Sequence, residues 1–125
     1  MSVFTSTLEA LTRQRGVRAS LIVSESDGLI IDARLRYGQD GERVAALAAS
    51  LYRKARLSAS AARLGSVAFL QLDAERGRIC AAGRPLHWTP DGAIGSDLVI
   101  VVVADPAANV GLIRMELLKA VETLA

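Results

Sequence analysis

The sequence predicts a mixed helix-and-sheet protein of the α/β (α+β) class, with its elements in the order αββαβββα. Residues 17–23 and 29–35 alternate between apolar and polar side chains, and the tight-turn sequence Ser26-Asp27-Gly28 lies between them, a pattern typical of a β-hairpin. Residues 40–64 contain no proline and are rich in alanine, leucine and arginine, which predicts a long helix. Together, these two patterns predict paired strands followed by a helix.

The remaining elements follow from the same periodicities. The spacing of Phe4, Leu8 and Leu11 predicts a first helix over about residues 3–15, ended by Gly16. Further strands are predicted at 67–72, 78–82 and 98–103, and a last helix carries its apolar stripe from Val110 to Leu124. Because the strand at 98–103 is apolar at every position, we expect it to be covered on both faces, near the centre of the sheet.

Length and composition indicate one domain spanning residues 1–125, in which 51% of the residues are hydrophobic. No apolar run approaches the roughly 20 residues of a membrane helix, and the first residues do not have the basic and apolar character of a leader. We therefore expect a soluble cytoplasmic protein that does not act at a membrane.

Thirteen of the fifteen basic residues are arginine, but thirteen acidic residues are interspersed among them and the net charge is only +2. A nucleic-acid-binding protein would carry a basic stripe, and aromatic residues at 4% offer few platforms for stacking bases. The composition predicts no nucleic-acid partner and favours contacts with proteins.

Catalytic motifs are missing from the sequence. The single Cys80 and single His87 cannot form a recognisable zinc set or an intrachain disulfide. No P-loop or G-x-S-x-G pattern occurs, and the carboxylates show no spacing typical of an acid/base pair. We therefore expect no catalytic residues, no metal and no cofactor, and a protein that is not itself an enzyme.

The segment from Ala104 to Leu124 begins as many phosphate-binding sites do, with a turn between a strand and a helix. It has a single glycine, however, and its first lysine is Lys119. A capping role explains its polar residues better: Asp105 can cap a helix that starts at Pro106, or Asn109 can cap a helix that starts after it.

The long middle helix is predicted to have two apolar faces. The face assigned to the core consists of Val44, Leu47, Ala48, Leu51, Ala55, Ala59 and Ala62. A second face, interrupted by Lys54, consists of Ala46, Ser50, Leu57, Ala61 and Leu64. Its small residues would let a second helix approach closely in a dimer interface. The alternative is an alanine-rich face exposed to solvent, because alanine is the best helix former.

Three segments together resemble the roadblock/LC7 family, and more closely its bacterial regulators of Ras-like GTPases. They are residues 16–24 with 27–31, the helix at 42–64, and residues 108–114. The resemblance covers roughly the whole chain. It implies a profilin-like five-stranded antiparallel sheet with helices on both faces, the first and last helices on one side and the middle helix on the other. It also implies a homodimer formed through the middle helix and the adjoining edge strand.

The resemblance further implies a platform that binds a small Ras-like GTPase and modulates its GTP hydrolysis, as GTPase-activating members do. A scaffold that docks a receptor, motor or kinase without changing nucleotide turnover is the alternative. The expected partner-binding residues are Tyr52, Arg53, Arg56, Ser60 and Arg63, unless they are simply a solvated face. We expect these arginines to solvate the surface or form weak ion pairs, and not to supply an arginine finger.

One segment departs from the family pattern. Residues 83–96 form a longer connection than expected between the last two strands and carry the only Trp and His. They are expected to form either a partner-specific loop or a hairpin extension.

Overall fold

Five antiparallel strands form the central sheet of the computed structural model, which describes residues 4–36, 38–83, 87–89, 92–94 and 98–123. The elements in chain order are α1 Thr5–Thr12, β1 Val17–Ser24, β2 Ile30–Leu35, α2 Gly41–Ala61, β3 Leu70–Ala74, β4 Gly77–Gly83, β5 His87–Thr89, β6 Gly92–Ile94, β7 Leu98–Ala104 and α3 Val110–Glu122. Their order in the main sheet is β2-β1-β7-β4-β3. The predicted α+β class and five-stranded sheet are confirmed.

Strand β7 lies at the centre of the sheet, paired antiparallel with β1 on one side and with β4 on the other. Its residues Val99 to Val102 are all fully buried. A strand covered on both faces needs apolar side chains at every position, and the sequence predicted this placement from the absence of alternation.

The two faces of the sheet carry separate cores. On one face, α1 and α3 pack against the sheet, and their large buried residues are Leu8, Leu11, Ile113 and Leu117. On the other face, α2 packs over Leu21, Val23, Val99 and Val101. The middle helix therefore lies opposite the first and last helices, as the family resemblance implies.

The predicted core face of α2 is rotated relative to the observed one. Gly41, Ala45, Ala48, Ala49 and Tyr52 face the sheet, whereas Leu47 is 62% exposed. The sheet below is covered by branched side chains, so small residues on the helix allow the two layers to approach closely. Placing Leu47 in the core was wrong because the prediction weighted large apolar side chains over small ones. Placing Ala62 there was wrong because the helix ends at Ala61 and Ala62 is an exposed C-cap.

The observed helix ends identify the caps. The side chain of Asp40 accepts a hydrogen bond from Arg43 N at 3.1 Å and begins α2, as predicted. At α3, Asn109 Oδ1 accepts from Leu112 N at 3.1 Å, which selects Asn109 over Asp105 as the cap. Helix α1, at Thr5–Thr12, is shorter than predicted.

Strand β3 begins later than the sequence predicted, at Leu70 instead of Val67. The carbonyl of Val67 accepts a hydrogen bond from Tyr52 Oη at 3.2 Å, so this residue packs on α2 and does not pair within the sheet. Ala74 pairs with Gly77, which shortens the connection to β4 to two residues.

The segment 83–96, expected as a loop, contains a small antiparallel hairpin. Its strands β5 and β6 pair His87 with Ile94, Trp88 with Ala93 and Thr89 with Gly92, and they form a sheet of their own. This backbone corresponds to the hairpin extension of the two alternatives; residues 84–86, 90–91 and 95–97 lie outside the described residues. Across the described ranges, no helix combines the length and apolarity needed to cross a membrane.

Candidate functional site

The side of α2 that faces away from the sheet is unusually apolar. We call this the outer α2 surface and define it as Ala46, Leu47, Ser50, Leu57, Ala61 and Leu64. Leu47, Leu57 and Leu64 are 62%, 55% and 78% exposed. A helix face that meets only solvent is normally polar, and a contiguous exposed apolar patch is typical of an interaction site.

All five residues predicted for the dimer interface lie on this surface. Ala46, Leu57, Ala61 and Leu64 are exposed, and Ser50 is half-buried. Leu47 was missed because it had been assigned to the core. Lys54, exposed on the same side, interrupts the patch as expected.

Tyr52, predicted to contact a partner, lies instead in the core beneath α2. It is only 4% exposed. Its Oη donates to Val67 O at 3.2 Å, and a Cβ added at Gly83 would lie 2.9 Å from that oxygen. Burial raises the pKa of the Tyr52 hydroxyl above its ordinary value. Its role in the structure is to fill the space between α2 and β4.

Arg56 binds a buried carboxylate at the end of β1. Its Nη2 lies 2.7 Å and its Nε 3.0 Å from Glu25 Oε1, and Nε also lies 3.3 Å from Oε2. The Glu25 side chain is only 9% exposed, whereas that of Arg56 is 37% exposed. The hydrogen bonds from Arg56 to this carboxylate raise the pKa of the guanidinium.

Arg53 makes a second link between α2 and the same turn. Its Nη2 donates to the backbone carbonyls of Glu25 and of Ser26, the latter at 2.9 Å. Its Nε lies 4.0 Å from Glu25 Oε1. Arg53 and Arg56 therefore clamp the β1–β2 turn onto α2, and much of their hydrogen-bonding capacity is already used within the protein.

Sequence reasoning missed Glu25, although a signal was present. Glu25 comes directly after the buried stretch 21–24, where a charged side chain needs a partner to be tolerated. That partner lies 31 residues away along the chain, so local periodicity could not identify it.

Ser60 and Arg63 complete the predicted partner-binding set at the end of α2. Both are exposed. Arg63 has a φ of 59°, in the turn after the helix, where its N–H donates to Ser60 O at 3.0 Å. Among the described residues, its guanidinium forms no ion pair. It is therefore the arginine of this set that is most available to a partner.

The turn that resembles a phosphate site is used structurally. A groove of about 400 Å³ lies beside it and is lined in part by Asp105 and Asn109. Asp105 accepts from Arg18 Nε at 2.6 Å, and Asn109 caps α3, so both polar side chains already have partners. Within the described ranges, no group of three or more potential metal ligands comes together.

A model of the Roadblock/LC7 domain matches residues 4–84, which is more than half of the chain. The chain belongs to the Roadblock/LC7 family. Roadblock/LC7 domains generally have regulatory or scaffold roles. The matched region contains α2 and its outer surface.

Relatives of this Roadblock/LC7 chain include uncharacterized proteins of Methanocaldococcus jannaschii. One is 27% identical over 114 residues, covering 91% of this chain and 90% of the relative. Another is 28% identical over 123 residues, covering 98% and 94%. Their names carry no functional information, so the likeness assigns no activity.

Solved structures show the same fold. A Roadblock/LC7 domain from Streptomyces avermitilis has a TM-score of 0.76 at 19% identity, covering 94% of this chain and 91% of that one. The gliding protein MglB from Thermus thermophilus has a TM-score of 0.75 at 18% identity, covering 97% and 84%. MglB from Myxococcus xanthus has a TM-score of 0.71 at 17% identity, covering 98% and 94%. At these identities the similarity is one of fold.

Proposed function

We propose that this protein is a homodimeric roadblock/LC7-type regulator that binds a small Ras-like GTPase in the cytoplasm and modulates its GTP hydrolysis. Membership of the family and the fold shared with MglB support this proposal. The observation that carries it is the outer α2 surface, where three leucines are more than half exposed. In the dimer, two copies of this surface would cover each other.

The energetics indicate how much of the dimer contact this surface can supply. Burying each exposed leucine contributes roughly 1.5–3 kcal/mol. A two-fold interface buries the three leucines of both protomers, which sums to at most roughly 9–18 kcal/mol. Association costs about 4–15 kcal/mol in lost translational and rotational freedom. The small residues Ala46, Ser50 and Ala61 add close packing. We propose that main-chain pairing at an adjoining edge strand adds to this contact.

The proposed regulation works by positioning the residues of the GTPase. An arginine finger supplied in trans accelerates hydrolysis by about 10³–10⁵ and must be free to enter the nucleotide site. Arg53 and Arg56 are held by Glu25 and by carbonyls of the β1–β2 turn. Their engagement favours a surface that orients the switch segments of the GTPase over one that inserts a catalytic side chain.

The same observation favours the second candidate function, a scaffold that docks a receptor, motor or kinase without changing nucleotide turnover. A clamp of arginines onto a turn makes a rigid docking platform, and rigidity alone does not alter a rate. The two functions differ in whether the bound partner hydrolyses GTP faster.

The test is single-turnover phosphate release from a Ras-like GTPase of the same cell, at fixed GTP, with increasing amounts of this protein. A saturable acceleration is the expected result. Arg63→Ala is expected to weaken binding, whereas Arg15→Ala, an exposed arginine in the turn after α1, serves as the matched control. Co-elution with an unchanged rate would favour the scaffold, and no binding to any such GTPase would exclude the regulator.

A further inference from the structure

The two edge strands of the sheet differ in how their outward-facing backbone groups are used. On β2, Arg36 N donates to Arg18 O at 3.0 Å, which places Arg36 among the residues whose backbone faces β1. In an antiparallel pair, the backbone N–H and C=O of successive residues point alternately toward and away from the neighbouring strand. The backbone groups of Arg34 and Asp32 therefore also face β1. The N–H and C=O of Ala33 therefore point outward.

Both outward groups of Ala33 are already bonded to its neighbours. Its N–H donates to Asp32 Oδ1 at 2.9 Å, and Arg34 Nη1 donates to its carbonyl at 3.0 Å. Asp32 and Arg34 are 3.6 Å apart at their closest charged atoms. A register shift opposite Ile22 and Val23 also bends this edge at Ile31. Satisfied backbone groups, charged side chains and bulges are the means by which edge strands resist further pairing.

Strand β3, at the other edge, carries one charged side chain, Asp73, but among the described residues it has neither a bonded outward backbone group nor a register shift. Its polar side chains bond to one another: Gln71 Nε2 donates to Asp73 Oδ2 at 2.9 Å, and Arg78 Nε, from β4, donates to Asp73 Oδ1 at 2.7 Å. No described side chain bonds to the outward backbone of β3. The register from Leu70 to Ala74 is regular, and Leu72 is exposed there.

We propose that Asp32 and Arg34 close the β2 edge, so that the sheet is extended by a second copy of this chain at β3 alone and assembly stops at two copies. A sheet with two open edges can add copies without limit, whereas one open edge is used up by a single two-fold pair. The exposed residues Leu29, Ile31 and Leu35 would otherwise add apolar contact at the β2 edge. This inference rests on the homodimer in the proposed function.

The test is the double variant Asp32→Ala with Arg34→Ala, measured by light scattering after gel filtration. Opening the β2 edge is expected to at least double the mass relative to the unmodified protein. Asp32→Asn keeps an oxygen that can accept from Ala33 N–H and is expected to leave the mass unchanged. Glu9→Ala with Arg13→Ala removes an exposed ion pair of 3.9 Å on α1 and is the charge-matched control.

A further variant separates edge pairing from misfolding. Ala33→Pro, added to the double variant, removes the outward N–H that a new strand would need, and an edge strand tolerates proline at such a position. The mass is then expected to return to that of the unmodified protein. An unchanged mass in the double variant, or a raised mass that proline does not reverse, would overturn the proposal. If the unmodified protein is a monomer, the proposal of a homodimer is wrong. The proposal of a closed β2 edge is then tested separately, by whether the double variant has a larger mass than the monomer.

Discussion

Arg56 and Glu25 form a charged contact in which the guanidinium Nη2 lies 2.7 Å from a carboxylate oxygen whose side chain is nine-tenths buried. The contact joins the middle of α2 to the end of β1. Because Arg53 also donates to the backbone of the β1–β2 turn, the turn and the helix are held as one unit. The geometry of the outer α2 surface therefore depends on a turn outside that surface.

Arg56→Ala should lower the free energy of unfolding by about 1–2 kcal/mol, because it leaves the Glu25 carboxylate buried with fewer donors. The value is reduced from that of a fully buried pair because the Arg56 side chain is 37% exposed. Urea unfolding measures it. Arg43→Ala, which removes an exposed pair of 3.7 Å with Asp40, is the control and should cost much less. Equal losses of unfolding free energy in the two variants would show that the contact with Glu25 contributes no more than an exposed ion pair.

Leu57→Arg and Ala61→Glu should each convert the dimer into monomers, because both place a charge in the centre of the outer α2 surface. Light scattering after gel filtration gives the mass directly. Leu112→Arg makes the same change at an exposed leucine of α3 and should leave the dimer intact. Dimers in both α2 variants would mean that the two copies pair through another surface.

Gly83→Ala should lower the free energy of unfolding by roughly 1–3 kcal/mol, because the added Cβ would lie 2.9 Å from Tyr52 Oη. Tyr52→Phe removes that oxygen at the cost of its bond to Val67, about 1 kcal/mol. The double variant should therefore be more stable than the sum of the two single changes predicts. Tyr52→Phe keeps the ring carbons Cζ and Cε1, which would lie 3.0 and 3.2 Å from the added Cβ, so the double-mutant cycle measures the contact with the oxygen alone. Strict additivity would contradict that contact.

The stability of the protein should fall as the pH rises from about 9 to 11, in part because of Cys80. Burial raises the pKa of this thiol from 9.0 to about 11, so the unfolded chain loses the proton first. The stabilisation from the protonated thiol is fully present below pH 9 and is lost as the pH rises through the folded-state pKa, a change of about 3 kcal/mol. Urea unfolding at several pH values should give a shallower decline for Cys80→Ala. If the free energy of unfolding falls equally with pH in the unmodified protein and in Cys80→Ala, the decline does not come from Cys80.

The sequence was sufficient to predict where α2 begins, but not which way it faces. Asp40 is a strong capping residue, and the absence of proline over the next 24 positions leaves little alternative to a helix. The facing direction depends on what covers the sheet. Since Val99 and Val101 already fill that space, Ala45 and Ala49 fit there and Leu47 does not.

The side-chain contacts between different elements could not be predicted from the sequence for a different reason. Glu25 and Arg56 are 31 residues apart, and Tyr52 meets Gly83 across an equal distance in the chain. Periodicity reports the neighbours within one element, whereas these contacts depend on how two elements cross. Family resemblance supplied the layer arrangement, but it did not identify individual partners.

The alanine contact beneath α2 has a consequence for how the protein could evolve. Methyl groups at Ala45, Ala48 and Ala49 hold the helix close to the sheet, and any longer side chain there would lift the whole helix. The exposed Leu47, Leu57 and Leu64 lie outside this contact and are freer to vary in size. Substitutions at these exposed positions can therefore change which partner binds, while the distance between α2 and the strands stays constant.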